Sequence, residues 1–201
     1  ALPKSVCASA VDYLYKRGFS VDDIEHYGWR FSRFGVYSYQ DHSGVYRNQD
    51  YANRIIIPVR DIEGKLQTFQ GRDTTGEASE KYLFPPMLKG SGSLLYDVKN
   101  AIGKKKIVIN EGVMDVAATR KALNVDISFS DYAAVGSFGK SLSLTGNYDQ
   151  LSQILALAKN GLDTVYYMWD GELKATEAAF KSALRLKLIT GLTCFVCMLP
   201  D

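Results

Sequence analysis

Four carboxylates occur in two matching settings: Glu111 and Asp115 in Glu111-Gly-Val-Met-Asp115, and Asp170 and Glu172 in Asp170-Gly-Glu172. Each pair follows a short apolar run and opens a stretch with helical spacing. If the two runs are neighbouring strands, all four acids share one crevice, and that much negative charge is tolerable only when hard divalent cations neutralise it. Taken singly, Asp115 or Glu172 is equally a first-turn helix residue favoured by the helix dipole. It is the repetition of the arrangement that argues for a shared cation site.

The elements that must position these acids can be read from residue pattern. Ile107-Val108-Ile109 has the length and β-branched content of a buried parallel strand, and Gly112 allows a tight turn after it. Val113, Val116, Ala117 and Leu123 then cover one face of a helix. Asp163 to Trp169 reads as a second buried strand, followed by a helical run from Leu173 to Leu188. Tyr132 to Val135 is another strand, ending in Gly136-Ser-Phe-Gly139, and Tyr148 to Asn160 is an amphipathic helix with Leu151, Ile154, Leu155 and Ala158 inward. Strands alternate with helices from Lys105 onwards, so an α/β unit with a parallel sheet and right-handed crossovers is expected. In such sheets ligands collect at the carboxyl ends of the strands, where Glu111 and Asp170 stand.

The first half of the chain has a different character. Val6, Ala10, Tyr13 and Leu14 lie at helical spacing before Gly18, and Ser20 with Asp23 forms a capping box that opens a brief helix ending near Gly28. Tyr27 to Tyr51 interleaves aromatic rings with Arg30, Arg33 and Arg47, a composition that either stacks the bases of a single strand or packs beneath an irregular loop. Arg54 to Arg60 and Lys65 to Arg72 read as a β-hairpin with Gly64 in the turn, Pro58 at an edge or bulge, and the alternation after Lys65 burying one face and presenting a polar one. Arg54, Arg60 and Arg72 are either solvated surface or guanidinium forks lining a channel for phosphates. Thr74 to Ser93 is a loop by its Gly, Ser, Pro and Thr content, Leu94 to Ala101 a short helix, and Gly103 the boundary between parts spanning residues 1–103 and 104–201.

Composition bounds the function classes. A net charge of +2 over 201 residues does not announce a nucleic-acid binder, but from Arg47 to Lys106 basic residues outnumber acids, which makes this middle stretch the candidate electrostatic footprint. No apolar run is long enough to span a bilayer and no secretory leader opens the chain, so a cytoplasmic protein without a membrane partner is expected. The three cysteines Cys7, Cys194 and Cys197 suit a reducing compartment. Cys194-Phe-Val-Cys197 has zinc-knuckle spacing, but it lies in a strand-like apolar run with no second pair, so core cysteines and no zinc are expected.

Glu111-Gly-Val-Met-Asp115 after one strand and Asp170-Gly-Glu172 after another resemble the Toprim signature, in the form typical of DnaG-type bacterial and phage DNA primases. Asn53-Arg54 through Arg60-Asp61, then Gly71-Arg72, Lys81-Tyr82-Leu83 and Lys89-Gly90 resemble the basic subdomain of the primase catalytic core in the family's order. Tyr13 to Ser20 resembles its N-terminal helical piece. The resemblance implies a Toprim-type parallel sheet preceded by a smaller basic α+β subdomain. It implies synthesis of short RNA primers on a single-stranded DNA template from ribonucleoside triphosphates, with Mg²⁺ or Mn²⁺ held by Glu111, Asp170 and Glu172 and supported by Asp115. Arg72, Lys81 and Lys89 become contacts to template or triphosphate, and Gly136 and Gly139 a turn whose amides approach a phosphate. A replicative helicase is implied as a partner through regions outside this chain.

Two departures stand out. The family's Asp-x-Asp is Asp170-Gly-Glu172 here, and Leu199-Pro200-Asp201 resembles only the start of a longer acidic segment. An excised core of a longer protein, bacterial or phage-encoded, is therefore expected. The rival readings are another Toprim enzyme, nuclease or topoisomerase, and a non-catalytic single-strand-binding module that uses the basic middle without metal chemistry.

Overall fold

A computed structural model describes residues 4–144 and 149–199, with side chains from Ala10 onwards. The chain forms two compact units, Ala1–Val59 with Leu66–Gly90, and Arg60–Lys65 with Ser91–Asp201.

The first unit opens with helices α1 (Lys4–Lys16) and α2 (Val21–Tyr27). Ala10 and Leu14 of α1 are buried, whereas the side chain of Val6 lies outside the described residues. The capping box at α2 is present: the Ser20 hydroxyl accepts from the Asp23 amide, and the Asp23 carboxylate accepts from the Ser20 amide. Gly28 ends the helix in the left-handed conformation.

Strands β1 (Arg30–Ser32), β2 (Val36–Gln40), β3 (Tyr46–Asp50), β4 (Arg54–Arg60), β5 (Leu66–Asp73) and β6 (Tyr82–Leu83) follow. They form a β2-β3 hairpin and a sheet in the order β1-β4-β5-β6. On the β1 side, β4 is paired only from Arg54 to Ile56, so Pro58 lies beyond the ladder, where its missing N–H costs nothing. Of the interleaved aromatics, Trp29 and Tyr51 are core, while Phe34 and Tyr46 remain exposed.

The face of β5 that is buried is itself largely polar. Thr68, Gln70 and Arg72 are buried and Leu66 is exposed. At Gly71 a Cβ would fall 2.6 Å from the Tyr51 ring and 3.1 Å from Arg54 Cδ. The ring is hemmed edge-on by Tyr37 and Phe69 and has nowhere to retreat. Gly71→Ala is therefore expected to destabilise the fold by about 1–3 kcal/mol, read as a lower midpoint in urea unfolding.

The second unit is built on β7 (Lys106–Asn110), β8 (Tyr132–Gly136), β9 (Thr164–Met168) and β10 (Thr193–Val196) in the order β10-β9-β7-β8, with every pairing parallel. Helices α3 (Val113–Leu123), α4 (Gln150–Lys159) and α5 (Leu173–Thr190) flank it. Successive strand residues point to opposite faces, so Ile107 and Ile109, Ala133 and Val135, and Val165 and Tyr167 share one face. They pack there with Ile154 and Leu157 of α4 and with Ala175, Ala179, Ala183 and Leu186 of α5. The near-fourfold spacing of alanines on α5 brings that helix close to the sheet.

Leu95, Val98 and Ala101, grouped from the sequence with the N-terminal part, bury themselves in this same core, whose unit takes in Ser91–Asp201 together with Arg60–Lys65. On α4, Leu155 is exposed instead of inward and Gln150 and Gln153 are buried in its stead; Tyr148 lies outside the described residues. Cys194 and Cys197 are free and half-buried, with burial pushing both thiols up. The side chain of Cys7, and both Pro200 and Asp201, lie outside the described residues. Among the described residues no helix is long and apolar enough to cross a membrane.

Candidate functional site

β7 and β9 are adjacent and parallel, with Asn110 opposite Met168, so Glu111 and Asp170 emerge from the same edge of the sheet. Asn110 fixes that edge: its side-chain amide donates to Thr119 Oγ1 at 3.0 Å and reaches the Met168 carbonyl at 3.5 Å, tying β7 to α3 and β9. The turn after β8 closes the crevice from the other side. The Ser137 amide donates to the Asn110 carbonyl at 3.0 Å and the Gly139 amide to the Glu111 carbonyl at 3.0 Å. Phe138 is held between them at a φ of 60°, a conformation that costs about 1 kcal/mol or more for a residue with a side chain.

Glu111 is half-buried, and its Oε2 is buried with no hydrogen-bond partner among the described residues. Burial, then the Asp170 charge, push its carboxyl above the ordinary range; Lys140 pulls the other way, and Asp115 and Glu172 add smaller upward contributions. The other three acids therefore all bear electrostatically on Glu111. Asp115 sits in the first turn of α3, where its carboxylate accepts from the Gly112 amide at 3.1 Å and caps the helix. Glu172 points its carboxylate at Lys140, whose Nζ donates to Oε2 at 2.5 Å, and that bond holds the Glu172 carboxyl below its usual range.

Among the described residues no three His, Cys, Asp or Glu side chains stand closed as a ready metal cage. Their donor chemistry nevertheless suits a hard cation: the donors are all oxygen, and one is buried and unpartnered. Glu172 is turned to Lys140 and Asp115 to the Gly112 amide.

The raised Glu111 carboxyl has a measurable sign. The folded chain holds this proton to higher pH than the unfolded chain does, so stability falls as pH rises from about the ordinary value of 4.5 through the raised folded value. Glu111→Gln removes the cost of ionisation. Without added metal it is expected to melt a few degrees above the parent at neutral pH, and the difference should vanish below about pH 4.

The glycines beside the acids are engaged within the protein. The Gly136 amide donates to the Tyr96 carbonyl at 3.1 Å, and a Cβ there would meet Val116 at 3.1 Å and Tyr96 at 3.2 Å. With the Gly139 amide on Glu111, both glycines shape the turn in place of the phosphate contact expected of them. Lys140 was not singled out from the sequence; the available signal was a cation placed directly after a glycine turn that abuts an acidic strand end.

The basic residues of the first unit separate into two kinds. Arg54 is buried and its guanidinium is spent on the Gly71 and Glu80 carbonyls at 3.3 and 2.9 Å, so it braces β5 rather than a channel. Arg72 is buried against the rings of Tyr13 and Tyr82, 5.3 and 4.6 Å from their centroids, with Nε and one terminal nitrogen unpartnered among the described residues. It lines a cavity of about 430 Å³ with Tyr13, Asp73, Thr75 and the exposed Lys81. Burial opposes ionisation of Asp73, yet hydrogen bonds from Thr75 and Gly76 and the Arg54 charge hold its carboxyl below the usual range. Lys89 is exposed near the end of this unit. Arg60 belongs to the second unit, where it donates to the Gly64 carbonyl at 3.2 Å across the hairpin turn.

No family model matches the chain. A DNA primase of Halalkalibacterium halodurans is 31% identical over a 216-residue alignment that covers 94% of this chain and 33% of that protein. The chain thus spans about a third of the length of that relative. Among solved structures, the E. coli primase catalytic core superposes with a TM-score of 0.72 at 26% identity, covering 98% of this chain and 66% of that one. A DnaG primase catalytic domain bound to single-stranded DNA gives a TM-score of 0.72 at 24% identity, covering 98% and 67%. These likenesses make the chain a homologue of the DnaG-type DNA primase catalytic core, and its parallel sheet fits a Toprim fold.

Proposed function

We propose that the chain carries the nucleotidyl-transfer chemistry of a DNA primase, joining ribonucleotides into short RNA primers on a single-stranded DNA template. The observation that carries this reading is the unpartnered Glu111 oxygen where two parallel strands deliver Asp170 and Glu172 to one crevice. In this reaction a ribose hydroxyl attacks the α-phosphate of an incoming triphosphate, a new phosphodiester forms, pyrophosphate leaves and the hydroxyl proton must be taken up. With Glu111, Asp170 and Glu172 as oxygen ligands, a bound Mg²⁺ or Mn²⁺ would supply charge neutralisation at the phosphates and a lowered hydroxyl pKa. Where Glu111 is not an ion ligand, its unpartnered oxygen is instead placed to take up that proton.

Asp115 holds the first turn of α3 and thereby the position of Glu111. Arg72, with free donors between two tyrosine rings, and Lys81 on the same cavity bind phosphates of template or triphosphate, and the Tyr13 and Tyr82 rings limit how the guanidinium can turn. Lys89 adds an exposed charge to the same task. The proposed setting is the cytoplasm, with a replicative helicase as a partner through regions outside this chain. The test is to incubate the chain with single-stranded DNA, labelled ribonucleoside triphosphates and Mg²⁺ or Mn²⁺ and to resolve the products on a gel. Short RNA that requires both template and metal supports the reading; metal-independent products, or cleavage of the template instead, would replace it with one of its rivals.

A further inference from the structure

We propose that Lys140 is an exchangeable counter-ion of the acid site: it holds Glu172 while no divalent ion is bound, yields it when one arrives, and is then left to contact the phosphates of an incoming nucleotide. This rests on the reading of the crevice as a metal-dependent nucleotide site. Three observations carry it. The Lys140 ammonium lies 2.5 Å from Glu172 Oε2, so the carboxylate needed for a third ligand is already in the hands of a cation. The backbone that bears Lys140 is anchored to the end of β7, through Ser137 on Asn110 and Gly139 on Glu111, so the ammonium stays at the crevice even when its side chain lets go. Lys140 also acts on Glu111, and both Glu111 and Asp170 act on Lys140, so its charge is shared across the acids rather than confined to one pair.

The exchange is energetically easy. The side chain of Glu172 is 66% exposed, and an ammonium–carboxylate pair open to solvent contributes little, whereas a divalent ion brings twice the charge to all the acids at once. A single lysine also leaves the cluster of four acids negative, which keeps attraction for a metal ion. Lys174 contributes only a weaker electrostatic influence on Glu172. Once Glu172 turns to the ion, Lys140 has no carboxylate of its own and the nearest new anions are those of a bound triphosphate.

The consequence is a pair of effects with opposite signs. Lys140→Met is expected to bind Mn²⁺ alone roughly fivefold to tenfold more tightly, because a competing unit charge has gone. The same variant is expected to bind a non-hydrolysable ATP analogue in saturating Mn²⁺ less tightly by a similar factor. Lys140→Arg keeps the charge and should stay within about twofold of the parent in both measurements. Free Mn²⁺ measured by electron paramagnetic resonance, and titration calorimetry for the analogue, give the two affinities without reliance on turnover. Unchanged Mn²⁺ affinity in Lys140→Met, or a change of the same sign in both measurements, overturns the proposal and leaves the site reading standing. Glu111→Gln serves as the separate control: Mn²⁺ affinity equal to the parent's would sink the metal reading itself, and this proposal with it.

Discussion

Glu111→Gln is expected to lower template-directed RNA synthesis by at least about a thousandfold, with Asp170→Asn close behind. The size follows from position. Glu111 presents a buried oxygen that nothing in the described protein satisfies, and Asp170 is the carboxylate whose charge weighs most on it. An amide of the same shape keeps the packing but cannot offer an anionic oxygen to a cation or take up a proton. Asp115→Asn should cost less, about tenfold, because its carboxylate already caps α3 and an asparagine oxygen can accept the same backbone hydrogen bond. Binding of single-stranded DNA, measured by fluorescence anisotropy, should be largely retained in all three variants. The higher melting temperature expected for Glu111→Gln removes unfolding as an explanation for lost activity. More than a tenth of parental synthesis in that variant would exclude Glu111 from the chemistry.

The largest expected loss of stability comes from a residue with no part in that chemistry. Gln150 is fully buried at the start of α4. Its oxygen accepts from the Ser143 amide at 2.9 Å, and its amino group is shared among the carbonyls of Ser91, Leu94 and Ser137 at 3.0, 3.0 and 2.9 Å. Gln150→Leu nearly conserves volume, so no large cavity is made, but it strands the buried Leu94 and Ser137 carbonyls and leaves the part-buried Ser143 amide and Ser91 carbonyl without their partner. Each such group costs about 1–3 kcal/mol, and relaxation of the loops recovers part, so about 3–6 kcal/mol is expected from the urea midpoint. Because the Ser137 carbonyl belongs to the turn that holds Glu111, the same variant should also bind Mn²⁺ more weakly under conditions where it is still folded. A loss below about 1 kcal/mol would mean that water or rearranged backbone satisfies these groups.

The strands and their acids were legible because each signal is local. Ile107 to Ile109 can be little else than a buried strand, Gly112 permits the turn, and two repeats of strand, acid and helix leave few topologies. What escaped was decided by partners distant in sequence. Leu155 reads as inward on α4, yet the helix buries Gln150 instead, whose amide is drawn in by carbonyls of loops more than fifty residues earlier. On β5 the same thing happens at Arg72, where the rings of Tyr13 and Tyr82 accept the flat face of a guanidinium and let a charged residue be buried. Arg54 has the same residue type and a similar setting but meets carbonyls instead of rings, and so becomes a brace. Lys140 could be suspected from its place in the sequence, but its hold on Glu172 spans 32 residues and depends on the turn being pinned to β7.

The central position of β7 also has a bearing on how the molecule is made. Lys106 pairs with Tyr132 on one side and with Thr164 on the other, so the strand that ends in Glu111 has neither neighbour when it leaves the ribosome. Parallel ladders cannot be nucleated by a tight hairpin, and their distant pairings make for slow folding. During translation the apolar segment Ile107-Val108-Ile109 must therefore wait without its first neighbour until Gly136, and without its second until Met168, has been synthesised, which makes it a stretch of the nascent polypeptide that a chaperone would be expected to shield.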